Sequence, residues 1–285
     1  MGIAKTSIRK ATEADFESVY PLLKELNNTR LKRQDWQQLF HNHWQLKDFS
    51  PGLLIQCQEQ IVGFIATLYS PTSKDRSNQI CNLSSWIVKD EYRSSSMMML
   101  LKLLRDKNTT FTSFSSNDIS YKIYQKLKFQ DWEHYARVIY PFPSLKNNHY
   151  RIITSTKDFQ TTLSEAEYQI YHDHQDFKCH HLVIQHKGGS YSYIISVQRG
   201  KKLKLYYASN PTFIRENISD FRWPLMKLYS AKKLYIGEKI IGARKPFFSR
   251  QKNYRHPYQI KAAKSGSFHE QQLNLLYSEL LLLNM

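Results

Sequence analysis

The sequence predicts a mixed α/β fold, with a central mixed sheet in the first half and a second α/β unit behind it. Short apolar segments of strand character alternate along the chain with segments whose apolar residues recur at helical spacing. The chain has 285 residues, against the ~150 residues of a common domain. Apolar residues make up 41% and charged residues 23%, which is typical of globular rather than disordered chains.

The first half begins with a strand and two helices. Residues 7–10 are predicted as a short strand, and Thr12 with Asp15 three residues later is typical of a helix N-terminus. A second helix is predicted over residues 34–45, before the turn at 50–52. The apolar face of the first helix contains Phe16, Val19, Leu22, Leu23 and Leu26.

The rest of the first half predicts a hairpin and then alternating elements. Two apolar strands over 53–57 and 61–69 are separated by a tight polar connection, which indicates a β-hairpin. The elements predicted after it are a strand over 79–88, a helix over 94–105, a strand over 110–115, a helix over 117–127 and a strand over 129–140.

Prolines and asparagines place a domain boundary near residue 145, giving predicted domains over 1–145 and 146–285. The order of elements in the second domain partly repeats that of the first, which leaves a diverged duplication open. Its predicted elements are a helix over 163–173, strands over 181–185, 192–198 and 202–208, a helix over 212–230 and a strand over 233–236. Helical spacing also predicts a docked amphipathic helix through Leu273, Leu276, Leu280 and Leu283.

Charge and composition limit the function classes. The net charge is +17 and the isoelectric point is near 9.6, so we expect an anionic partner such as a phosphorylated small molecule, acidic lipid or nucleic acid. No P-loop or G-x-G-x-x-G motif is present. The distant Cys57, Cys81 and Cys179 predict neither a disulfide framework nor a zinc site, and favour a reducing cytoplasm. We expect no signal peptide or transmembrane segment.

One strand-to-helix junction has the features of an anion site. The predicted strand ending at Val88 leads into a helix whose first turn is small and polar, Ser94 to Ser96. The first N–H groups of a helix lack intrahelical partners and attract anions. Arg93 adds positive charge there. Taken alone, the same residues are also typical of a solvated helix start.

A polar stripe follows on the next predicted helix. Asn117, Ser120 and Tyr124 recur at spacings that place them on one helical face. Tyr124 alone would also be typical of a packed core tyrosine with its hydroxyl at the surface.

Together these segments resemble the GNAT superfamily of N-acetyltransferases, over residues 7 to 140. The family's central strand ends in an Arg/Gln-x-x-Gly-x-Gly/Ala turn, which Arg93 to Met98 match in position with Ser96 and Met98 at small-residue positions. A later family signature is Asn-x-x-Ala/Ser-x-x-x-Tyr-x-Lys-x-Gly-Phe. It is matched by Asn117, Ser120, Tyr124, Lys126 and Phe129, with Lys128 where glycine is usual.

The resemblance implies a GNAT-type acyltransferase fold, acetyl-CoA as cosubstrate, no metal, and an amine acceptor on a small molecule or peptide. It implies that Tyr124 is the general acid that protonates the leaving thiolate. The residues implied to bind the cosubstrate are Trp86, Ile87 and Val88 along the pantetheine arm, Arg93, Ser94, Ser95, Ser96, Met97 and Met98 at the pyrophosphate, and Asn117 and Ser120 beside it.

The general base, the acceptor and the oligomeric state stay open. No Asp or Glu occurs between Gln79 and Val88, so deprotonation of the amine would fall to Glu91, to a histidine such as His134, or to water. An alternative function is that of a catalytically inactive GNAT-like module that binds an anionic ligand or nucleic acid.

Two further clusters occur in the second half. The histidines over 172–181 lack metal-binding spacing and are predicted as a polar surface cluster. The basic segment from Arg244 to Arg255 is interleaved with Phe247, Phe248 and Tyr254. This composition suits single-stranded nucleic acid, but no nucleic-acid motif accompanies it, and a solvated basic surface is favoured over nucleic-acid binding.

Overall fold

The computed structural model describes residues 6–71, 79–144, 149–264 and 273–284, and the mixed α/β class is confirmed. The chain divides into two compact units. Unit 1 contains Met1–Trp132, Tyr258–Leu273 and Tyr277–Met285, and unit 2 contains Glu133–Pro257 and Asn274–Leu276. In this division Glu133 to Ser144 group with unit 2, and Tyr277–Met285 group with unit 1. The predicted domains over 1–145 and 146–285 stay a prediction, because the expected boundary at 145 lies outside the described residues.

The sheet of unit 1 follows the order β1-β2-β3-β4-β5-β12. Its neighbours are antiparallel except for β4 and β5, which are parallel and joined by a helical crossover. Strand β12 spans the two units and pairs with β5 through its last residues. The strands are β1 (Thr6–Lys10), β2 (Gly52–Cys57), β3 (Gln60–Tyr69), β4 (Gln79–Val88), β5 (Thr109–Ser113) and β12 (Ser249–Lys261).

Five helices are described in unit 1. The first of them buries the apolar face that the sequence predicts. The predicted N-terminal cap is confirmed, since Asp15 accepts hydrogen bonds from the backbone N–H and hydroxyl of Thr12. Phe16, Val19, Leu22 and Leu23 are buried. The helices are α1 (Phe16–Glu25), α2 (Arg33–Gln37), α3 (Arg93–Leu103), α4 (Asp118–Lys126) and α9 (Glu279–Leu282).

Two helix predictions in unit 1 are wrong in extent. The helix expected over 34–45 ends at Gln37 and continues only as a 3₁₀ turn, Gln38–Phe40. The C-terminal leucines do not form one amphipathic helix, because α9 is a single turn. Leu273, Leu276, Leu280 and Leu283 are nevertheless all buried, so the segment docks without a polar helical face.

The sheet of unit 2 has the same pattern of strand directions as that of unit 1. Strands β7 to β10 form an antiparallel meander, β10 and β11 are parallel, and β11 pairs with the antiparallel β6. The elements are β6 (Gln130–Ile139), β7 (Tyr150–Ile153), α5 (Thr156–Thr162), α6 (Glu165–His174), β8 (His180–His186), β9 (Tyr191–Arg199), β10 (Lys202–Ala208), α7 (Pro211–Leu228), β11 (Lys233–Gly237) and α8 (Glu238–Ile241).

The helices also occupy corresponding places in the two units. Two helices separate the first pair of strands in each unit, α1 and α2 in one and α5 and α6 in the other. A single crossover helix, α3 or α7, joins each parallel pair. The predicted repetition therefore holds at the level of topology. Within the described part of the chain, no helix has the length and apolar character needed to cross a membrane.

Candidate active site

A cleft opens in unit 1 where β4 and β5 separate. Their parallel pairing ends at Asn82 and Thr112, although β4 continues to Val88. The cleft has a volume of about 200 Å³. Its lining residues include Ser84, Ser85 and Trp86 from β4, Ser113, Ser115 and Ser116 at the end of β5, and Asn117, Ser120 and Tyr124 around α4.

A β-bulge turns β4 at the mouth of this cleft. Phe64 pairs with Ile87 and Ala66 pairs with Ser84, so Ile65 alone lies opposite two residues of β4. Ser85 takes a left-handed backbone conformation with φ of 49°. A bulge of this kind bends the strand and redirects its side chains. It therefore explains why Trp86 lines the cleft.

Trp86 and Tyr124 form one wall of the cleft. Their ring centroids are 5.9 Å apart, and Tyr124 also packs at 4.8 Å from Phe129. Within the described residues, the indole Nε1 of Trp86 is buried without a hydrogen-bond partner. A buried donor without a partner is costly, and Trp86 itself is among the residues that line the cleft.

Tyr124 combines burial with access to the cleft. Its side chain is 2% exposed, and burial raises the pKa of its phenol, with a smaller raising effect from Glu279. A hydrogen bond with Ser113 opposes the shift. The phenol is therefore protonated at neutral pH, and it carries this proton at the wall of the cleft.

Asn117 and Ser120 form the N-terminal cap of α4. The side-chain oxygen of Asn117 accepts hydrogen bonds from the N–H groups of Ile119 and Ser120, and Ser120 Oγ accepts one from the N–H of Asn117. This reciprocal cap fixes the start of the helix. Both residues line the cleft. The cap that they form also fixes the start of the helix that carries Tyr124.

The predicted pyrophosphate segment begins α3 and does not line the cleft. Arg93 is the first residue of the helix and forms an exposed ion pair with Asp90 at 2.7 Å. Ser94 is exposed, and Ser96 is partly exposed. Ser95 is buried, with its hydroxyl 3.0 Å from that of Thr6. Met97 and Met98 are exposed, while Ile87 and Val88 complete β4 before this helix.

A buried carboxyl that the sequence reasoning missed lies beside the cleft. Glu279 is 0% exposed, and its Oε1 accepts a 2.6 Å hydrogen bond from Ser115 Oγ. Its backbone N–H donates to Asn82 Oδ1 at 3.3 Å. Burial raises the pKa of this carboxyl to about 7. Its sequence signal is a single acidic residue beside the leucine run 280–283.

The candidate bases named from the sequence lie elsewhere. Glu91 is exposed in the 3₁₀ turn before α3, and His134 belongs to unit 2, where its backbone N–H donates to Glu238. Neither residue lines the cleft of unit 1.

The histidine cluster of unit 2 is only partly a surface cluster. His174 is fully buried, with Nδ1 2.8 Å from the carbonyl oxygen of Ile170. The surface prediction is wrong for this residue, because it packs on the inner side of α6. Over the described residues, no group of three or more His, Cys, Asp or Glu side chains is arranged to hold a metal ion.

Solved structures with the same fold cover nearly the whole chain. A GCN5-related N-acetyltransferase from Kribbella flavida is 9% identical with a TM-score of 0.56, over 90% of this chain and 71% of that one. The one from Sphaerobacter thermophilus is 9% identical with a TM-score of 0.51, over 94% and 98%. The one from Anabaena variabilis is 7% identical with a TM-score of 0.56, over 91% and 73%.

Comparisons at the level of sequence give no further relative. No protein-family model matches the sequence, and no curated protein matches it. The structural matches establish the fold. Both the predicted fold class and the predicted resemblance are confirmed at that level.

Proposed function

Because the chain has the GCN5-related N-acetyltransferase fold, we propose that it transfers an acetyl or short acyl group from acyl-CoA to an amine of a small molecule or peptide. The observation that carries this proposal is the cleft between the separated ends of β4 and β5, with the buried phenol of Tyr124 in its wall. A narrow opening between parallel strands suits an extended pantetheine arm, because the strand edge offers unpaired backbone groups.

The residues present fit an acyl-CoA molecule. The edge of β4 beyond Asn82 has no pairing with β5, so the backbone of Trp86, Ile87 and Val88 is available to the arm. Trp86 lines the cleft, and its buried Nε1 has no partner among the described residues, so a ligand acceptor that reached this N–H would satisfy it. The N-terminal turn of α3 does not line the cleft, and Arg93 there is paired with Asp90. In this proposal the N–H groups of the turn, with Arg93, Ser94 and Ser96, take the pyrophosphate.

The proposed chemistry is direct attack of the amine on the thioester, which supplies an activated acyl carbon. A C–N bond forms and the C–S bond breaks. Tyr124 donates its phenolic proton to the departing sulfur. Ser115 takes a proton from the amine nitrogen while passing its own to Glu279. The acid and the base therefore both lie at this cleft. After product release, Tyr124 takes a proton from water, and Glu279 gives its proton back to water through Ser115, so both groups return to their starting states.

Two further features belong to this proposal. The reaction needs no metal, because both proton transfers use side chains of unit 1. We place the protein in the cytoplasm, since Cys57, Cys81 and Cys179 are all free and reduced thiols are typical of that compartment.

Calorimetric titration with acetyl-CoA and with CoA, each at low and high salt, tests the proposal. Saturable one-to-one binding that persists at high salt, followed by thiol release with an amine in a screen, supports acyl transfer. Titration with inorganic pyrophosphate is the matched control for nonspecific attraction to the +17 charge. Binding that disappears with salt, or binding without turnover over a broad amine panel, contradicts the enzyme and favours the inactive module.

A further inference from the structure

An exposed cluster of phenylalanines lies on unit 2, outside the proposed site. Phe142, Phe247 and Phe248 are 41%, 70% and 56% exposed. The ring of Phe142 lies 5.1 Å from that of Phe247 and 6.4 Å from that of Phe248, measured between centroids. Contiguous exposed apolar side chains are unusual on a soluble protein and mark interaction sites. We call these three residues the aromatic surface.

The backbone beneath the aromatic surface is held in place by buried groups. Arg222 is 2% exposed, and its guanidinium donates to the carbonyl oxygen of Phe247. The carbonyl oxygen of Phe248 accepts a 3.1 Å hydrogen bond from the N–H of Tyr140. Phe248 itself has a left-handed φ of 57°, a conformation that side-chain-bearing residues avoid. The rings are therefore displayed by a fixed loop.

The surroundings of the aromatic surface are cationic. Arg244, Lys245 and Arg250 are exposed within three residues of the phenylalanine pair. No Asp or Glu occurs in the sequence between Lys239 and His269. The nearby acid, Asp220, accepts a hydrogen bond from Ser144. The loop therefore combines apolar rings with a local excess of positive charge.

From this combination we infer that the aromatic surface docks on a bilayer containing anionic phospholipid, with the phenylalanines in the acyl boundary and the basic residues at the headgroups. Apolar rings flanked by Lys and Arg are the pattern that binds such interfaces. Single-stranded nucleic acid is less well matched, because these rings pack on one another at 31° to 74°, whereas stacking platforms offer separate faces to successive bases.

Sedimentation with vesicles tests this inference independently of acyl transfer. The protein is mixed with vesicles of phosphatidylcholine alone and of phosphatidylcholine with phosphatidylglycerol. We expect binding to the mixed vesicles, lowered ~10-fold or more by the double substitution Phe247→Ser and Phe248→Ser, because both rings lose their apolar burial. Arg244→Gln with Lys245→Gln should weaken binding and reduce its salt dependence.

The control variant is Ile119→Ser, which removes a side chain of similar exposure, 67%, from unit 1. It should bind mixed vesicles like the parent chain. Equal binding to both vesicle types, no binding, or full binding by the phenylalanine variant overturns the inference. Two other results overturn it as well: binding of an oligothymidylate that this variant loses, or a dimer in solution that it dissociates. Thermal unfolding of each variant confirms that the fold is retained.

Discussion

Ser115 Oγ donates a 2.6 Å hydrogen bond to Oε1 of Glu279, a residue 164 positions further along the chain. Ser115 is at the cleft surface, whereas Glu279 is fully buried behind it. The other carboxylate oxygen, Oε2, has no hydrogen-bond partner among the described residues. The serine therefore connects a buried proton acceptor to the cleft, and the carboxyl keeps capacity for a proton.

The first prediction concerns the pH dependence of turnover. Burial raises the pKa of Glu279 to about 7, and a base must be ionised to accept a proton. We expect kcat of the parent chain to rise with pH through an acid limb near 7. Glu279→Gln should remove this limb and lower kcat ~100-fold. The measurement is the pH profile of thiol release at saturating acyl-CoA.

Ser115→Ala and the double variant test the connection between the two residues. If Ser115 acts only through Glu279, Ser115→Ala should lower kcat far less in the Glu279→Gln background than in the parent chain, as for groups that act as a unit. Additive losses of kcat would contradict proton transfer from Ser115 to Glu279. An unchanged acid limb in Glu279→Gln would assign the base elsewhere.

The second prediction concerns stability and follows from the same carboxyl. Its pKa rises from 4.5 to about 7 on folding, so between these values the folded chain holds the proton that the unfolded chain has released. Linkage then makes the free energy of unfolding fall as pH rises through this window. The full effect is on the order of 3 kcal/mol, at 1.36 kcal/mol per pKa unit.

Glu279→Gln removes this titration. Denaturant unfolding at pH 4 and pH 8 should show the variant gaining stability relative to the parent chain as pH rises. Glu91→Gln is the matched control, because Glu91 is exposed, and its unfolding profile should follow that of the parent. A constant difference between Glu279→Gln and the parent would mean that Glu279 does not titrate in this range.

The third prediction separates Tyr124 from a neighbouring tyrosine. Tyr124→Phe keeps the ring contacts with Trp86 and Phe129 but removes the hydroxyl, so kcat should fall ~100-fold or more with little change in acetyl-CoA affinity. Tyr121→Phe is the matched control on the same helix, since the Tyr121 hydroxyl donates to Asp131. Calorimetry and steady-state kinetics measure the two effects. Equal turnover in both variants would remove Tyr124 from the mechanism.

Local patterns predicted the elements that surround the cleft. The expected hairpin corresponds to β2 and β3, and the helix expected over 117–127 corresponds to α4. These elements have alternating or helical apolar spacing of their own. The spacing of Asn117, Ser120 and Tyr124 also placed three residues that line the cleft, because one helix fixes their relative positions.

The elements that sequence reasoning missed depend on distant partners. Strand β12 is basic, residues 250–253 and Arg255 are exposed, and only Tyr258, Gln259 and Ile260 are buried, so it lacks a strand pattern. Its pairing with β5 joins residues such as Gln259 and Ser113. Glu279 was missed for the same reason, since its burial depends on contacts with Asn82 and Ser115.

The last prediction concerns Lys128, which occupies the position where the GNAT signature usually has glycine. Lys128 follows α4 with a left-handed φ of 65°, and its N–H donates to the carbonyl oxygen of Gln125. Glycine adopts this C-terminal conformation without a Cβ clash. Lys128→Gly should therefore raise the free energy of unfolding by about 0.5–1 kcal/mol. This figure is the backbone strain that glycine relieves, minus the larger backbone entropy that glycine loses on folding.

Charge has to be separated from backbone conformation in this test. Lys128 contributes to lowering the pKa of Lys261, after burial and two other lysines, so its removal also relieves repulsion. Lys128→Ala removes the same charge but keeps a Cβ in the left-handed conformation. We expect denaturant unfolding to show a gain for Lys128→Gly that clearly exceeds the gain for Lys128→Ala. Equal gains would attribute the stabilisation to charge alone and contradict backbone strain at this position.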